Sequence, residues 1–249
     1  MLCLIYLKFE GDRMKKHLYS IFQNWCKQTV WIYSDPHFGD EELRAGVPGR
    51  PTDEKQLKMI NSCVGRNDTF ICLGDIGDIE CIKKIRGYKV LICGNHDVGH
   101  TKYKRQKVKV QFDAGVYTRE GAIEEMKKLY PNCKYEAYRA FQFHTPFDSW
   151  DVYADNMLFD EVYEGPLMIA ERVILSHEPV DVPWAFNIHG HIHNRDEYKE
   201  NTSHLNVCSD VIGYKPVNLN QLFKSGFLSK IPSIHRITID KATKRKKKS

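Results

Sequence analysis

Several features that would define a protein class at once are missing from this 249-residue sequence. No apolar run approaches the roughly 20 residues of a membrane span, and the opening MLCLIYLKFEG has too short an apolar run, without a basic start, for a signal peptide. The eight cysteines include no CxxC pair, which argues against a cysteine-bound structural zinc. These absences predict a soluble, globular, cytoplasmic protein whose cysteines are reduced core thiols.

Excess charge is also missing from most of the chain. The net charge is +5, but six positive charges lie in the last nine residues, KATKRKKKS, so residues 1–240 carry a net charge of −1. A nearly neutral body argues against a protein that grips duplex nucleic acid, because such proteins neutralise several phosphates with Lys and Arg. We expect residues 241–249 to be a basic, disordered tail; a loose anchor for nucleic acid or an anionic surface is the alternative.

The chain shows no internal repeat and no Pro- or Ser-rich linker, so we expect a single domain over residues 29–240. Residues 1–28 are predicted to be an N-terminal extension with an amphipathic helix over 15–27, because apolar residues recur there with helical spacing. Residues 98–165 are long for a connection and contain the strand-like VKVQFD and NMLFDEVY, which predicts an insertion beside the site. Further helices are expected after a cap at Thr52 or Asp53 and over residues 120–130.

Five short β-like runs each end in a cluster of polar residues. They are TVWIYS before Asp35, TFICLG before Asp75, KVLICG before Asn95, RVILS before His177 and FNIHG before His191. In sheets flanked by helices, the loops at the carboxyl ends of strands converge while the strand interiors form the core. We therefore expect the five polar clusters to meet in one place.

Together the clusters supply two carboxylates, one amide oxygen and four imidazoles, without a thiolate. The residues are Asp35, His37, Asp75, Asn95, His177, His191 and His193. The first two and the last two have i, i+2 spacing, which in extended backbone directs both side chains to one side. Taken singly, each residue also has an ordinary structural explanation, such as a turn aspartate or a hydrogen-bonded core histidine. As a set they suit two borderline divalent ions such as Zn, Mn or Fe.

In chain order these clusters read SDPHFGD, LGDIGD, CGNHD, SHEP and HGHIH. The order D-x-H, GD, GNHD, a lone His and GHxH resembles the calcineurin-like metallophosphoesterases, and it extends over residues 35–193. The downstream GRP and GYKPV segments are most similar to small bacterial and phage-type phosphoesterase or phosphohydrolase members. The resemblance implies an α/β (α+β) fold, a four-layer αββα sandwich of two mixed β-sheets flanked by helices.

The resemblance also implies a role for each polar residue. The first metal ion would be held by Asp35, His37 and His193, the second by Asn95, His177 and His191, and the Asp75 carboxylate would bridge them. His96 would lie beside the leaving group as a proton donor or electrostatic stabiliser. Asp97 would orient the His96 imidazole; a carboxylate that only closes the loop is the alternative. His189 has no ligand role in the family pattern, so we expect it to pack or hydrogen-bond at the strand end.

The activity implied is dinuclear-metal-dependent hydrolysis of a phosphomonoester or phosphodiester by a metal-bridging hydroxide, since metal binding can lower the pKa of water from ~15.7 towards ~7. A small phosphate ester is the expected substrate. Nucleic acid, acted on by a nuclease or nucleotide phosphodiesterase of the same family, is an alternative that the charge does not favour, and no membrane partner is expected. From a different class, a catalytically silent scaffold or binding module of this fold stays open.

Two arginines are weaker candidates for substrate binding. Arg50 in GRP and Arg44 could each bind a phosphate through a bidentate guanidinium, and each is as readily explained as a solvated loop residue. The run KYKRQKVKV over residues 102–110 could form a basic lip over the metals, although a solvated strand face is the favoured interpretation.

Overall fold

The computed structural model describes residues 15–140, 148–195 and 203–231. Residues 1–14 of the predicted N-terminal extension and the predicted basic tail, residues 241–249, lie outside the described residues. In chain order the strands are β1 (Val30–Tyr33), β2 (Thr69–Cys72), β3 (Tyr88–Ile92), β4 (Lys107–Asp113), β5 (Lys134–Ala140), β6 (Ser149–Asp155), β7 (Glu161–Tyr163), β8 (Leu167–Ala170), β9 (Val173–Leu175), β10 (Phe186–His189), β11 (His204–Asn206) and β12 (Val217–Asn218). The α-helices are α1 (Glu41–Gly46), α2 (Asp53–Cys63), α3 (Ile79–Ile82), α4 (Arg119–Leu129) and α5 (Leu219–Lys224).

Two mixed sheets form the centre of the molecule. Sheet A has the order β12-β1-β2-β3-β7, with β12 antiparallel to β1 and the other neighbours parallel. Sheet B has the order β11-β10-β9-β8, with only β8 antiparallel to its neighbour. Strands covered on both faces read as continuous apolar runs, and TFIC of β2 is buried at all four positions. The fold class is therefore mixed α/β, in agreement with the α+β prediction.

The two sheets share one hydrophobic core. Ile32 and Ile71 of sheet A belong to the same buried cluster as Leu175 and Ile188 of sheet B. On the opposite face of sheet A, buried residues of β2 and β3 pack against α2 and α3. These layers leave the carboxyl ends of β1, β2, β3, β9 and β10 as the places where polar loops emerge. Within the described residues, every helix is too short or too polar to cross a bilayer.

A third sheet stands apart from the central layers. Sheet C has the order β4-β6-β5, is antiparallel throughout, and packs helix α4 against one face around Met126 and Val152. It lies within the stretch predicted as an insertion, residues 98–165. Strand β7 lies in the same stretch but pairs with β3 in sheet A, so the separate unit ends before Glu161.

The helix predictions are partly confirmed. Helix α2 begins after Thr52, whose hydroxyl accepts a hydrogen bond from the Lys55 amide, and α4 covers most of the predicted 120–130 segment. The amphipathic helix predicted over residues 15–27 is present in part, as a 3₁₀ helix over Ser20–Lys27 that buries Phe22 and Trp25. It begins later than predicted for a tertiary reason: Leu18 pairs with Ala170 as an antiparallel bridge, which holds the chain before Ser20 against β8.

One carboxylate fastens this N-terminal segment to sheet A. Glu161 at the start of β7 accepts hydrogen bonds from Trp25 Nε1 at 3.1 Å, Tyr88 OH at 2.7 Å and Tyr163 OH at 2.6 Å. A fourth donor, Asn24 Nδ2, lies at 2.9 Å. Burial alone would raise the pKa of Glu161, but the donors stabilise the anion more and lower that pKa below its usual value.

Replacing Glu161 with Ala is expected to lower the free energy of unfolding by about 2–3 kcal/mol, because partly buried donors lose a charged acceptor. The matched control is Glu54→Ala, which removes an exposed carboxylate that pairs with Lys58 on the same helix and should change the free energy of unfolding far less, because solvent screens exposed ion pairs. Urea unfolding of both variants measures the difference. Equal losses would show that Glu161 does not fasten the segment.

Candidate metal centre

All seven predicted ligands lie together at the carboxyl ends of the strands of sheets A and B. Asp35, Asp75 and Asn95 follow β1, β2 and β3, whereas the three histidines from the second half of the chain follow β9 and β10. Their donor atoms form two groups that could each hold a metal ion, one around Asp35 and one around Asp75. The convergence expected from the strand pattern is thus present in the structure.

The first group consists of Asp35, His37 and His193. Asp35 Oδ1 is 3.9 Å from both His37 Nε2 and His193 Nε2, and the two imidazole rings stack with centroids 5.4 Å apart. Asp35 Oδ1 and His37 Nε2 are buried without any hydrogen-bond partner among the described residues. Buried polar atoms are normally paired, so two unpaired donor atoms facing one point are what a metal-binding position requires.

The second group consists of Asn95, His177 and His191, joined by Asp75. Asn95 Oδ1 is 2.8 Å from His177 Nε2 and 3.1 Å from His191 Nδ1. The two ring nitrogens are 3.1 Å apart. Asp75 Oδ2 lies 3.4 Å from His177 Nε2 and 3.6 Å from His37 Nε2, so this one oxygen borders both groups.

These distances fit the expected cofactors. Two ligand atoms about 2.1 Å from one ion lie about 3.0–3.4 Å apart in octahedral or tetrahedral geometry, and at most about 4.2 Å apart. The two 3.9 Å distances in the first group lie within that limit, and the distances of 2.8–3.4 Å in the second group lie near the closer spacing. Nitrogen and oxygen donors without a thiolate favour Zn, Mn or Fe over calcium. The residues present therefore fit two divalent ions with Asp75 between them.

The backbone that presents these ligands is not extended, contrary to the interpretation of the i, i+2 spacing. Asp35, His37, His191 and His193 have φ values of 54°, 42°, 70° and 48°, and Asp75 has 53°. Left-handed backbone costs of order 1–3 kcal/mol for residues of this kind and persists only where surrounding contacts enforce it. The two side chains of each pair reach the centre because the chain turns sharply there. The pair His191 and His193 is divided, with one histidine in each donor group.

Hydrogen bonds at the far side of the rings orient two of the ligand histidines. His177 Nδ1 donates to the Leu73 carbonyl at 2.8 Å, and His193 Nδ1 bonds to Asp210 Oδ2 at 3.2 Å. Each ring is thereby fixed with Nε2 directed at the centre. The Asp210 carboxylate raises the pKa of His193, whereas burial lowers the pKa of His37.

The prediction that Asp97 orients His96 is wrong in this structure. Asp97 Oδ2 accepts from the Asp75 and Gly94 amides, both at 2.8 Å, and Oδ1 accepts from the Ile76 amide at 3.2 Å. These bonds use both oxygens, and within the described residues none reaches the His96 ring. Asp97 instead ties the loop after β2 to the loop after β3, which is the loop-closing alternative.

His96 lies at the open side of the centre. Its side chain is 68% exposed, Nε2 is 3.9 Å from Asp75 Oδ2, and the ring centroid is 5.8 Å from that of His37. The His96 amide donates to Asp75 Oδ1 at 3.1 Å. The backbone is therefore fixed to the bridging carboxylate while the imidazole faces solvent.

Neither candidate arginine is a free loop residue. Arg50 is buried, donates from Nη2 to the Pro36 carbonyl at 2.6 Å, and lies 5.9 Å from the centre of the Tyr214 ring. Pro36 stands between two ligands, so Arg50 supports the loop that carries them. Arg44 forms an ion pair with Glu41 in helix α1. Neither contact shows phosphate binding by these arginines.

His189 is fully buried and bonds through Nδ1 to the Gly190 carbonyl at 2.9 Å, as expected for a residue that is not a ligand. Sequence reasoning missed Cys208 and Asp210, which contact the first group: the Cys208 thiol donates to Asp35 Oδ2 at 3.1 Å. Burial raises the pKa of this thiol well above its ordinary value. The signal that could have identified them is the segment HLNVCSD, in which Leu205, Val207 and Cys208 precede the polar Ser209 and Asp210.

Two cavities open beside the centre. One of about 310 Å³ is lined by Asn95 and His177 together with Glu164 and Glu178. The other, of about 520 Å³, is lined by His193 and Asp210 with neighbouring residues. Each donor group therefore borders a cavity.

No protein-family model and no curated protein matches the sequence. Among solved structures, this chain is similar to a protein of unknown function from Aquifex aeolicus. The two are 19% identical, the match covers 79% of this chain and 98% of that chain, and the TM-score is 0.48.

Gly190 permits the close approach of the two sheets at the centre. A Cβ atom at this position would overlap the side chains of Ser34 and Asp35. Gly190→Ala is therefore expected to lower the free energy of unfolding by about 1–3 kcal/mol and to weaken binding of Mn²⁺. Gly46→Ala, at a glycine with open space around it, is the control and should change neither quantity. Chemical denaturation and calorimetric Mn²⁺ titration measure both, and unchanged Mn²⁺ binding in Gly190→Ala would contradict this geometry.

Proposed function

We propose that this chain is a metal-dependent phosphoesterase that hydrolyses a phosphomonoester or phosphodiester with two divalent ions, Mn, Fe or Zn. We also propose that the two central sheets and their flanking helices form the four-layer metallophosphoesterase sandwich. The observation that carries it is the convergence of seven residues, far apart in sequence, into two donor groups that share the Asp75 carboxylate.

The shared carboxylate would contribute negative charge between the two metal positions. Asp75 is buried, and its Oδ2 borders both donor groups. An anion at this place offsets the repulsion between two cations held ~3.5–4 Å apart. When bound, such ions lower the pKa of water and neutralise charge on phosphoryl oxygens. The fold holds the Asp75 carboxylate in a fixed position.

His96 is placed to act on the leaving group. Its backbone amide is fixed to Asp75 Oδ1, and its exposed imidazole lies at the open side of the centre. A histidine there can hold a proton at Nε2 and deliver it to an alkoxide or phenoxide as the P–O bond breaks. The cavities on either side leave room for the organic groups of an ester.

A nuclease is supported less well, because residues 102–110, which could have formed a basic lip over the metals, already form ion pairs within the protein. Arg105 forms ion pairs with Asp155 and Asp160, and Lys109 pairs with Asp151. These cations are already compensated within the protein, so they offer little free charge for a phosphate backbone. A small phosphate ester is the substrate class that we propose.

Purified protein with Mn²⁺ is expected to hydrolyse p-nitrophenyl phosphate or bis-p-nitrophenyl phosphate, and EDTA should abolish the turnover. The ratio of the two rates assigns the monoester or diester class. Asp75→Asn removes the bridging charge and should lower kcat/KM about 100-fold or more, whereas Glu54→Gln on the exposed face of α2 should leave it unchanged. Bound Mn²⁺ without turnover of either ester, a cyclic nucleotide or an oligonucleotide would indicate a binding module instead.

His96→Ala should lower kcat by about 10²–10⁴-fold while Mn²⁺ binding stays at the wild-type level. The loss should be greater for phenyl phosphate than for p-nitrophenyl phosphate, because the poorer leaving group depends more on a proton. His17→Ala removes another exposed histidine, one that stacks on Phe223 away from the centre, and serves as the control. Loss of metal binding in His96→Ala would show that the assigned role is wrong.

A further inference from the structure

Asp210 lies directly behind the first donor group, on the far side of the His193 ring. We propose that Asp210 is a positioning residue for the first metal position: it holds the His193 imidazole as the tautomer protonated at Nδ1, so that the Nε2 lone pair points at the metal. This inference rests on the proposed function, because it assumes that a divalent ion occupies the position.

The contacts of the His193 ring define this arrangement. Nδ1 is 3.2 Å from Asp210 Oδ2, whereas Nε2 is 3.9 Å from Asp35 Oδ1, the neighbouring ligand atom. A carboxylate can only accept, so Nδ1 carries the hydrogen and Nε2 keeps its lone pair. Without a partner at Nδ1, a neutral imidazole would exchange between its two tautomers and could rotate away from the ion.

Asp210 is itself fixed to the same part of the centre. Ser209 donates from its amide to the Ser34 carbonyl at 2.9 Å and from its hydroxyl to the Asp35 carbonyl at 2.8 Å. Cys208 donates to Asp35 Oδ2. The segment of residues 208–210 therefore contacts two ligands of one group, Asp35 directly and His193 through Asp210. The Asp210 side chain is 9% exposed.

The second donor group is supported differently. The Nδ1 atom of His177 donates to the Leu73 carbonyl, a neutral backbone acceptor. A carboxylate behind a ligand histidine makes the ring more basic, and loss of such partners typically lowers metal affinity 10–100-fold. Removing the Asp210 carboxylate should therefore weaken the first position and leave the second unchanged.

The experiment isolates each position with a ligand variant and then adds the Asp210 change. His177→Ala leaves the first position as the intact site, and adding Asp210→Ala should weaken calorimetric Mn²⁺ binding about 10–100-fold. His193→Ala leaves the second position, and adding Asp210→Ala there should change nothing. The control is Asp181→Asn, since Asp181 also pairs with a histidine, His204, at 2.9 Å but is 71% exposed.

A second readout needs no metal. In metal-free protein labelled with ¹⁵N-histidine, at a pH high enough for the His193 ring to be neutral, the ring should be protonated at Nδ1 in the wild type and show both tautomers in Asp210→Ala. Asp210→Asn keeps an acceptor of the same size, so it should retain the Nδ1 tautomer and lose less affinity than Asp210→Ala. A folding defect alone would not change one ring's tautomer or one position's affinity.

The outcomes separate the inference from the proposed function. If wild-type protein binds two Mn²⁺ ions but Asp210→Ala binds them with unchanged affinity, or with equal loss at both positions, the inference is wrong and the function stands. If Asp210→Ala does not fold, either of two other results overturns the inference equally: a His193 ring protonated at Nε2 alone in the wild type, or unchanged Mn²⁺ affinity in Asp210→Asn. If the wild type binds no Mn²⁺ at all, both are wrong.

Discussion

The candidate centre depends on the contacts made by the buried Asp75 carboxylate. Its Oδ2 lies 3.6 Å from His37 Nε2 and 3.4 Å from His177 Nε2, and its Oδ1 accepts from the His96 amide. One side chain therefore contacts residues of the loops that follow β1, β3 and β9. Two divalent ions side by side repel each other, and an anion between them would offset that repulsion; in the proposed centre the Asp75 carboxylate would be that anion.

The surrounding backbone keeps that carboxylate in place at an energetic cost. Asp75 has left-handed backbone, and its amide is held by Asp97 Oδ2, which also accepts from the Gly94 amide. The Asp75 carbonyl accepts a hydrogen bond from the His37 amide at 3.0 Å. Strain of order 1–3 kcal/mol per left-handed residue is offset by such hydrogen bonds, because each one also satisfies a buried polar group. Asp97 thus supports the centre by shaping two loops and does not act on His96.

Much of the site could be predicted from local sequence, and the remainder depends on tertiary contacts. Buried strands read as apolar runs with polar ends, so the five strands that carry the site, and the seven polar residues that converge at their ends, were identifiable. The left-handed turns at the ligands, the burial of Arg50 against Pro36 and the contact of Asp210 with His193 arise from chain segments distant in sequence, and no local pattern encodes them. For the same reason the amphipathic pattern predicted a helix over residues 15–27, whereas the 3₁₀ helix begins only at Ser20 because Leu18 pairs with Ala170.

The most direct measurement is an anomalous difference map from crystals grown with Mn²⁺. The account predicts two peaks ~3.5–4 Å apart, one beside Asp35 and His193 and one beside Asn95 and His191, with the Asp75 carboxylate between them. A single peak, or two peaks that do not share Asp75, would contradict the dinuclear centre. The absence of any peak at these residues in Mn²⁺-saturated crystals would contradict the metal site as a whole.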